Sequence, residues 1–410
     1  MPTTLLRAAA LAAALLPTTA PAEPLSFDQA LSLAVQRSEA ARAARASARS
    51  ATEASRAAGQ LPDPMLLAGI ENLPVTGPDR FSTTREAMTM KRIGISQEWV
   101  PADRRAAREA AALAIAGREA VQAGAAESQA RLQAAMAYVD AWYADAALAL
   151  AVRMEHHLHE ELEAARSRLA AGAAGSPEVL QVASAKGMAE DEGEEARQQQ
   201  AAARAALQRW VGFRPEAVAP VPALALPGEQ DYVSRNGAVS TLRREAEVAR
   251  QNAIVAARQR TPNWSWELAY GQRTGYSDLV SFGVSIPLQL APAQRQDRET
   301  AAQLALVEKA EAELAEAVRA ATADYRTLAG DAERLQGRID RYRGAVVAPA
   351  RQRTDAALAA FRSNQLGLAA LFEARHAEVQ AQRRLLALQR ELAQVHVRLA
   401  FTPLVQGDAR

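Results

Sequence analysis

Methionine and histidine side chains in one short stretch are the residues best suited to chemistry in this sequence. Met154, His156 and His159 lie close together, and positions i and i+3 share one face of a helix. Thioether and imidazole groups bind soft and borderline metal ions, so a transient metal site is one interpretation. The alternative is a solvated helix face beside Glu155 and Glu160, because the spacing sets no carboxylate or thiol as a further ligand.

Motifs of common catalytic sites are absent from the sequence. It contains no cysteine, no phosphate-binding glycine loop, no HExxH motif and no serine nucleophile elbow. Acidic residues are scattered along alanine-rich segments instead of being paired for acid–base work. We therefore predict no enzymatic activity and no cofactor. The formal net charge of +1, from 48 basic and 47 acidic residues, also disfavours nucleic acid as a partner.

The N-terminal segment has the features of an export signal. Residues 1–22 carry an early arginine, an apolar run and small residues before Glu23, so we predict a signal peptide cleaved after Ala22. The apolar run of about 12 residues is shorter than the ~20 that span a bilayer, and nothing downstream comes closer. We expect no transmembrane helix in the mature chain. Any membrane attachment must then come from strands.

The order of elements occurs twice along the chain, which indicates an internal duplication. We predict a first repeat at 23–211, a second repeat at 236–400, a proline-rich linker at 212–235 and a tail at 401–410. Each repeat is predicted to contain an entry helix, a β-hairpin (64–100 and 263–290) and a coiled-coil hairpin (102–211 and 292–400). The predicted fold class is mainly α with a small β part.

Four segments alternate apolar residues with small or polar ones. In the clearest of them Trp264, Trp266, Leu268 and Tyr270 fall on one face. This pattern is typical of a transmembrane β-barrel, and the alternative is a sheet half-buried on a soluble core. Four strands cannot close a barrel, and an open sheet in lipid leaves edge groups unsatisfied. The barrel interpretation therefore predicts an oligomer, and three copies would supply about twelve strands.

Two apolar seams with alternating steps of three and four residues predict coiled coils. The first follows the proline-free stretch 102–170, and the second runs without a break from Val318 to Val346. At the turns, Gly172 is suited to the left-handed backbone conformation that ends a helix, and Asn364 takes its place in the second copy. Ser176 is predicted to be the N-cap of the returning helix. Ser26 and Gln29 are predicted to form a capping box at the first helix of the mature chain.

Several short stretches occur in a specific order along the mature chain. They are LSFDQALSLA at 25–34, QLPDP at 60–64, IENLPV at 70–75, MKRIGISQEW at 90–99 with GISQ at 94–97, and the two turns at 168–181 and 361–375. In these stretches the chain resembles the TolC family of outer-membrane efflux channels over essentially the whole mature sequence. The segment IENLPV followed by MKRIGISQEW is more similar to the branch associated with heavy-metal efflux.

The resemblance implies a homotrimer whose outer-membrane β-barrel continues as a periplasmic α-helical tunnel. It further implies a passive exit channel, with heavy-metal cations as a candidate substrate. The implied partners are an inner-membrane RND pump and a periplasmic adaptor (membrane fusion protein). This partner would contact the turns between the long helices, whose residues are Gly172, Ala173, Ser176, Asn364, Gln365, Leu366 and Gly367. The main alternative is that this chain is itself a soluble periplasmic coiled-coil adaptor or scaffold.

The same resemblance assigns a pore gate to these turns. Glu373 matches an acidic gating position, whereas Phe361 and Leu366 stand where the family has a tyrosine and an arginine. We therefore predict a gate held mainly by packing, with a ring of Glu373 as a cation-selective constriction. Glu178 is the second candidate pore-facing acid. For both acids the alternative is an exposed side chain stabilising the first turn of a helix.

Overall fold

The structure, a computed structural model, describes residues 23–173, 175–363 and 365–404. The predicted signal peptide, Asn364 and most of the predicted tail lie outside these residues. Helices dominate, and one antiparallel sheet is the smaller part. The elements are α1 (Phe27–Arg37), α2 (Glu39–Ala58), β1 (Met65–Glu71), β2 (Met90–Trp99), α3 (Ala102–Ala170), α4 (Ser176–Val211), α5 (Glu229–Ser234), α6 (Gly237–Arg258), β3 (Trp264–Arg273), β4 (Leu279–Ser285), α7 (Gln296–Tyr342), α8 (Ala348–Arg362) and α9 (Leu368–Phe401).

Two compact units divide the chain. The first unit comprises the described residues up to Ser38, Gln129–Leu226 and Leu328–Phe401, and it contains α1, α4, α8 and α9. The second unit comprises Glu39–Ser128, Pro227–Thr327 and the described residues from Thr402, and it contains the whole sheet. Helices α3 and α7 contribute residues to both units.

The sheet is an antiparallel meander in the order β1-β2-β3-β4, so the two predicted hairpins lie side by side. Paired residues share a face, and the register aligns Ile95 with Leu268 and Leu268 with Phe282. The alternation seen in the sequence therefore becomes one apolar face and one polar face. The predicted second hairpin extended too far, because β4 ends at Ser285. Pro287 cannot donate a backbone hydrogen bond and restricts the residue before it.

Helix ends confirm two predicted caps and correct a third. Ser26 and Gln29 form the capping box of α1, with both reciprocal hydrogen bonds present. Gly172 has a φ of +69°, and the backbone N–H of Ala173 bonds back to the carbonyl of Arg168 at 2.8 Å. The N-cap prediction for Ser176 was wrong. This residue is already helical, and the N-cap is the preceding glycine, which has no capping side chain.

A π-helical turn interrupts the second long helix, which the sequence analysis predicted to be continuous. The turn spans Arg343–Val347 and precedes α8. Pro349 supplies the physical reason, since it lacks an N–H and its ring clashes with the carbonyl four residues earlier. Burial follows the predicted seam from Val318 to Tyr342, whereas Val346 inside the turn is exposed.

The core of the first unit is built from small side chains around one buried tyrosine. The Tyr138 hydroxyl lies 2.8 Å from the carbonyl oxygens of both Leu25 and Ala219, and its ring packs edge-on against Phe27. Burial raises the pKa of Tyr138 to about 12, so the hydroxyl stays protonated and remains a donor. This side chain therefore fastens the segment before α1 and the linker onto α3.

Among the described residues, α3 is long and apolar enough to cross a membrane by length and composition. An 18-residue window in it has a mean hydropathy of 1.2. The expectation that no segment after the signal approaches this criterion was therefore wrong. Alanine accounts for the value, because its methyl group is mildly apolar and abundant here. The window is 39% buried, and core helices of soluble proteins pass the same test.

Replacing Tyr138 by phenylalanine removes the donor shared by two buried carbonyls. We expect the local free energy of unfolding around α1 to fall by about 1–3 kcal/mol, because a buried acceptor loses its partner. Native-state hydrogen exchange of the α1 amides measures this loss. The control is Tyr143→Phe, whose hydroxyl has no hydrogen-bond partner among the described residues. Unchanged exchange in the Tyr138 variant would contradict the fastening role.

Candidate functional site

Arg168, in the last turn of α3, connects the two helix turns of the first unit. Its guanidinium lies 3.3 Å from the carboxylate of Glu178 in the first turn of α4. The same cation lies 5.9 Å from the ring centroid of Phe361 in α8, a cation–π distance. Nη2 is also 3.4 Å from the carbonyl oxygen of Ala173. One cation therefore contacts both turns.

An apolar cluster shared by the two helical hairpins lies behind these contacts. Phe361 and Leu366 are partly buried against it. The resemblance associates polar side chains with these two positions, but here both side chains take part in packing. The fully buried members of the cluster are Leu162, Ala165, Val182, Ala357, Leu368, Leu371 and Ala374.

The most deeply buried ion pair near the turns was missed by the sequence analysis. Glu161 in α3 has 4% of its surface exposed, and its Oε1 lies 2.6 Å from Nη1 of Arg375 in α9. Burial raises the pKa of Glu161, and the hydrogen bond from Arg375 opposes this shift. Burial also lowers the pKa of His157, one turn away, and the charge of Arg375 lowers it further. The partners are 214 residues apart, so no local pattern could indicate the pair.

The residues predicted to contact an adaptor lie at the turn between α3 and α4 and at the turn between α8 and α9. Gly172, Ala173 and Ser176 are exposed at the first turn, and Gln365 and Gly367 are exposed at the second. Asn364 lies outside the described residues.

The two predicted pore acids differ in their surroundings. Glu178 is half-buried and forms an ion pair with Arg168. Because the Arg168 guanidinium also contacts the Phe361 ring, Glu178 and Phe361 lie close to the same cation. Glu373 is exposed on α9 and makes no ion pair among the described residues.

The predicted metal-binding set is not brought together. Met154 is 3% exposed and packs in a core cluster with Leu158, whereas His156 and His159 are exposed. His156 instead lies 3.3 Å from Glu160 on the same helix. In the part of the chain that the structure describes, no group of three His, Cys, Asp or Glu side chains could hold a metal ion. The solvated-face interpretation therefore fits the histidines better.

Large apolar side chains lie on one face of the sheet, and no other element among the described residues buries them. Their exposed fractions range from 41% for Ile95 to 75% for Leu66. A contiguous apolar surface of this kind is typical of a lipid or protein interface. The face contains Leu66, Ile70, Ile93, Ile95, Leu268, Tyr270, Val280, Phe282 and Val284.

Different residue types bound this apolar face at its two ends. Trp99 pairs with Trp264 at one end, with ring centroids 6.0 Å apart, and Lys91 pairs with Gln272 at the other. The strand between Lys91 and Trp99 is about 26 Å long, close to the ~25 Å apolar band of membrane barrels. Aromatic and basic side chains are the residues that favour a membrane–water boundary.

Strands β1 and β4 are the edges of the sheet within the described residues. Each pairs with a neighbour on one side only. All seven residues of β4 are exposed. Such a strand presents a row of unpaired N–H and C=O groups, which another strand can complete.

Solved outer-membrane channels share this fold. The outer membrane protein VceC of Vibrio cholerae is 18% identical, and the alignment covers 92% of this chain and 96% of that chain with a TM-score of 0.74. MtrE of Neisseria gonorrhoeae, in its open state, is 16% identical over 92% and 88% of the two chains, with a TM-score of 0.74. CusC, studied for transmembrane channel formation, is 15% identical over 92% and 91%, with a TM-score of 0.76.

These likenesses show the fold, because the identities are low. The chain has the mainly helical channel fold with a small antiparallel sheet that the sequence analysis predicted. No family model and no curated protein matches the sequence.

Replacing Arg375 by alanine leaves the Glu161 carboxylate buried without its cation. We expect a loss of about 3–5 kcal/mol in local stability, measured by native-state hydrogen exchange of the α3 amides near Glu161. Arg383→Ala is the control, because Arg383 pairs with Glu192 where both side chains are partly exposed. That variant should lose about 1 kcal/mol or less. Equal losses in the two variants would show that burial of the Glu161 pair is unimportant.

Proposed function

We propose that the mature chain is the outer-membrane exit channel of a tripartite RND-type efflux system, with a helical periplasmic extension. Substrate leaves passively through it, and the energy is supplied by an inner-membrane pump. The observation that carries this proposal is a sheet with one exposed apolar face and two open edges, in a fold shared with outer-membrane channels. The predicted absence of enzymatic activity agrees with this role.

The proposed assembly is a homotrimer. The sheet of one copy cannot satisfy the backbone groups of its edges in lipid, where no water replaces the missing partner. Three copies, each placing β4 beside β1 of the next, give about twelve strands and a closed ring. The exposed β4 supports this arrangement, since all of its residues remain free for contact.

The proposed gate lies at the turns between the long helices. Packing of Phe361 and Leu366 on the shared apolar cluster supports a closed state held mainly by apolar contact. Arg168 adds its contacts with Glu178 and Phe361. In a trimer, Glu373 contributes three exposed carboxylates, which favour cations at this constriction.

The proposed partners are a periplasmic adaptor and the pump with which it works. The adaptor meets the exposed turn residues Gly172, Ala173, Ser176, Gln365 and Gly367. Heavy-metal cations are the proposed substrate, supported by the segments that resemble the heavy-metal branch and by the acid at position 373. The alternative of a soluble adaptor is disfavoured by the exposed apolar face of the sheet.

Single cysteines test the proposed membrane orientation directly, because the natural sequence has none. Phe282 and Ser281 are neighbours in β4 on opposite faces of the sheet. In the membrane-inserted protein, a water-soluble maleimide should label Ser281→Cys at least tenfold faster than Phe282→Cys, which faces lipid. The rates come from mass spectrometry of timed samples.

Cell fractionation and the oligomeric state after detergent extraction provide a second test of the proposed channel. The proposed channel should fractionate with outer membranes and run as a trimer when extracted. Recovery of a monomer in the detergent-free periplasmic fraction, together with equal labelling of the two cysteines, would overturn the proposal in favour of the soluble adaptor.

Replacing Phe361 by alanine tests the packing gate. Loss of its ring contacts weakens the closed arrangement, so single channels in planar bilayers should open more often than wild type, by about tenfold for each 1.4 kcal/mol lost. Phe372→Ala is the control, since that ring packs in the separate cluster around Met154. Unchanged opening of the Phe361 variant, or equal opening of both, would show that this contact does not hold the gate.

A further inference from the structure

An arginine on the polar face of the sheet joins acids from two neighbouring strands. Arg92 in β2 donates through Nη1 to Glu71 in β1 and through Nη2 to Glu267 in β3. The partners are 21 and 175 residues away in sequence. We call these three residues the strand triad. Each lies on the face opposite the apolar surface, as the strand register requires.

Small residues make room for the triad on this face. Gly69 and Gly271 flank Arg92 in the register, and Gly94 follows it on the same side of β2. A Cβ on Gly94 would lie 2.8 Å from the Cβ of Ala269, so this position accepts only glycine without rearrangement. A Cβ on Gly271 would clash with Sδ of Met90, so the Met90 side chain covers this glycine, whereas Gly69 leaves open space beside Arg92. The long Arg92 side chain spans to Glu267, which pairs with Ser96 farther along β2.

The triad carries a net negative charge and remains accessible to water. Two carboxylates face one guanidinium, which gives a net charge of −1 for the group. The exposed fractions are 28% for the Arg92 side chain, 40% for Glu71 and 35% for Glu267. Ions in water can therefore approach the group, and its field acts on them.

We infer that the strand triad is a charge filter that makes the barrel lumen selective for cations. The inference rests on the proposed channel, in which the polar face lines the lumen and three copies contribute a net charge of about −3. A ring of acidic charge that lines an aqueous pore raises the local concentration of cations and lowers that of anions. The substrate class it favours is a cation, either a metal ion or a positively charged organic compound.

Substitutions of opposite sign test the filter in planar bilayers under a KCl gradient. Glu267→Gln removes one negative charge per copy and should lower the K⁺/Cl⁻ permeability ratio by about two- to fourfold. Arg92→Gln removes the positive charge and should raise the ratio by about the same factor. If the triad had only a structural role, the two substitutions would change the permeability ratio in the same direction, or neither would change it.

Lys91→Gln is the matched control. It removes a positive charge from the residue next to Arg92, but Lys91 lies on the apolar face of the sheet, so the ratio should not change. The three substitutions are measured in the wild-type chain and in a Glu373→Gln background. The shifts should persist in both, because the triad and Glu373 act at separate positions.

The outcomes separate the filter from the channel itself. Channels that conduct with the wild-type permeability ratio in both Glu267→Gln and Arg92→Gln overturn the filter and leave the channel proposal standing. Failure of the wild-type protein to conduct at all, with no membrane insertion, overturns the proposed function and the filter with it.

Discussion

Backbone hydrogen bonding at the edges of the sheet is the constraint on which the proposed architecture depends. Within the described part of the chain, β1 and β4 each pair with a strand on one side only, and lipid offers no water to hydrogen-bond the other side. The apolar face of the sheet is also exposed in a single copy, and insertion in lipid would cover it. In the proposed oligomer, pairing between identical copies completes the edges and leaves the apolar face toward lipid. Oligomerisation is then a condition for stability of the inserted sheet.

In the helices, small alanine side chains determine how the elements pack. Buried positions such as Ala134, Ala135 and Ala141 in α3 have almost no side chain, so neighbouring helices approach closely. Packing of this kind supplies little shape specificity, because alanine surfaces resemble one another. Specificity comes from a few larger or polar groups, and the Tyr138 hydroxyl and the Glu161–Arg375 pair are the clearest of them. These groups fix which helix faces meet.

Local patterns predicted the elements well, and contacts between distant residues could not be predicted. The strand faces follow from period-two alternation, and the capping box at Ser26 follows from a spacing of three. The break before Pro349 was missed because the apolar seam continued through it, although proline forbids the regular hydrogen bond. Glu161 and Arg375 gave no signal at all, since two helices must pack before the pair exists.

Two charged groups of this chain differ in how water reaches them, and this difference indicates different roles. The Glu161 carboxylate is almost fully desolvated, so its interaction with Arg375 is strong only while the two helices remain packed. Such a pair resists any separation of α3 from α9. Glu71, Arg92 and Glu267 keep about a third of their side-chain surface in water, so each contact between them contributes little to stability. In the proposed channel, the net charge of this solvated group would act chiefly on the ions around it.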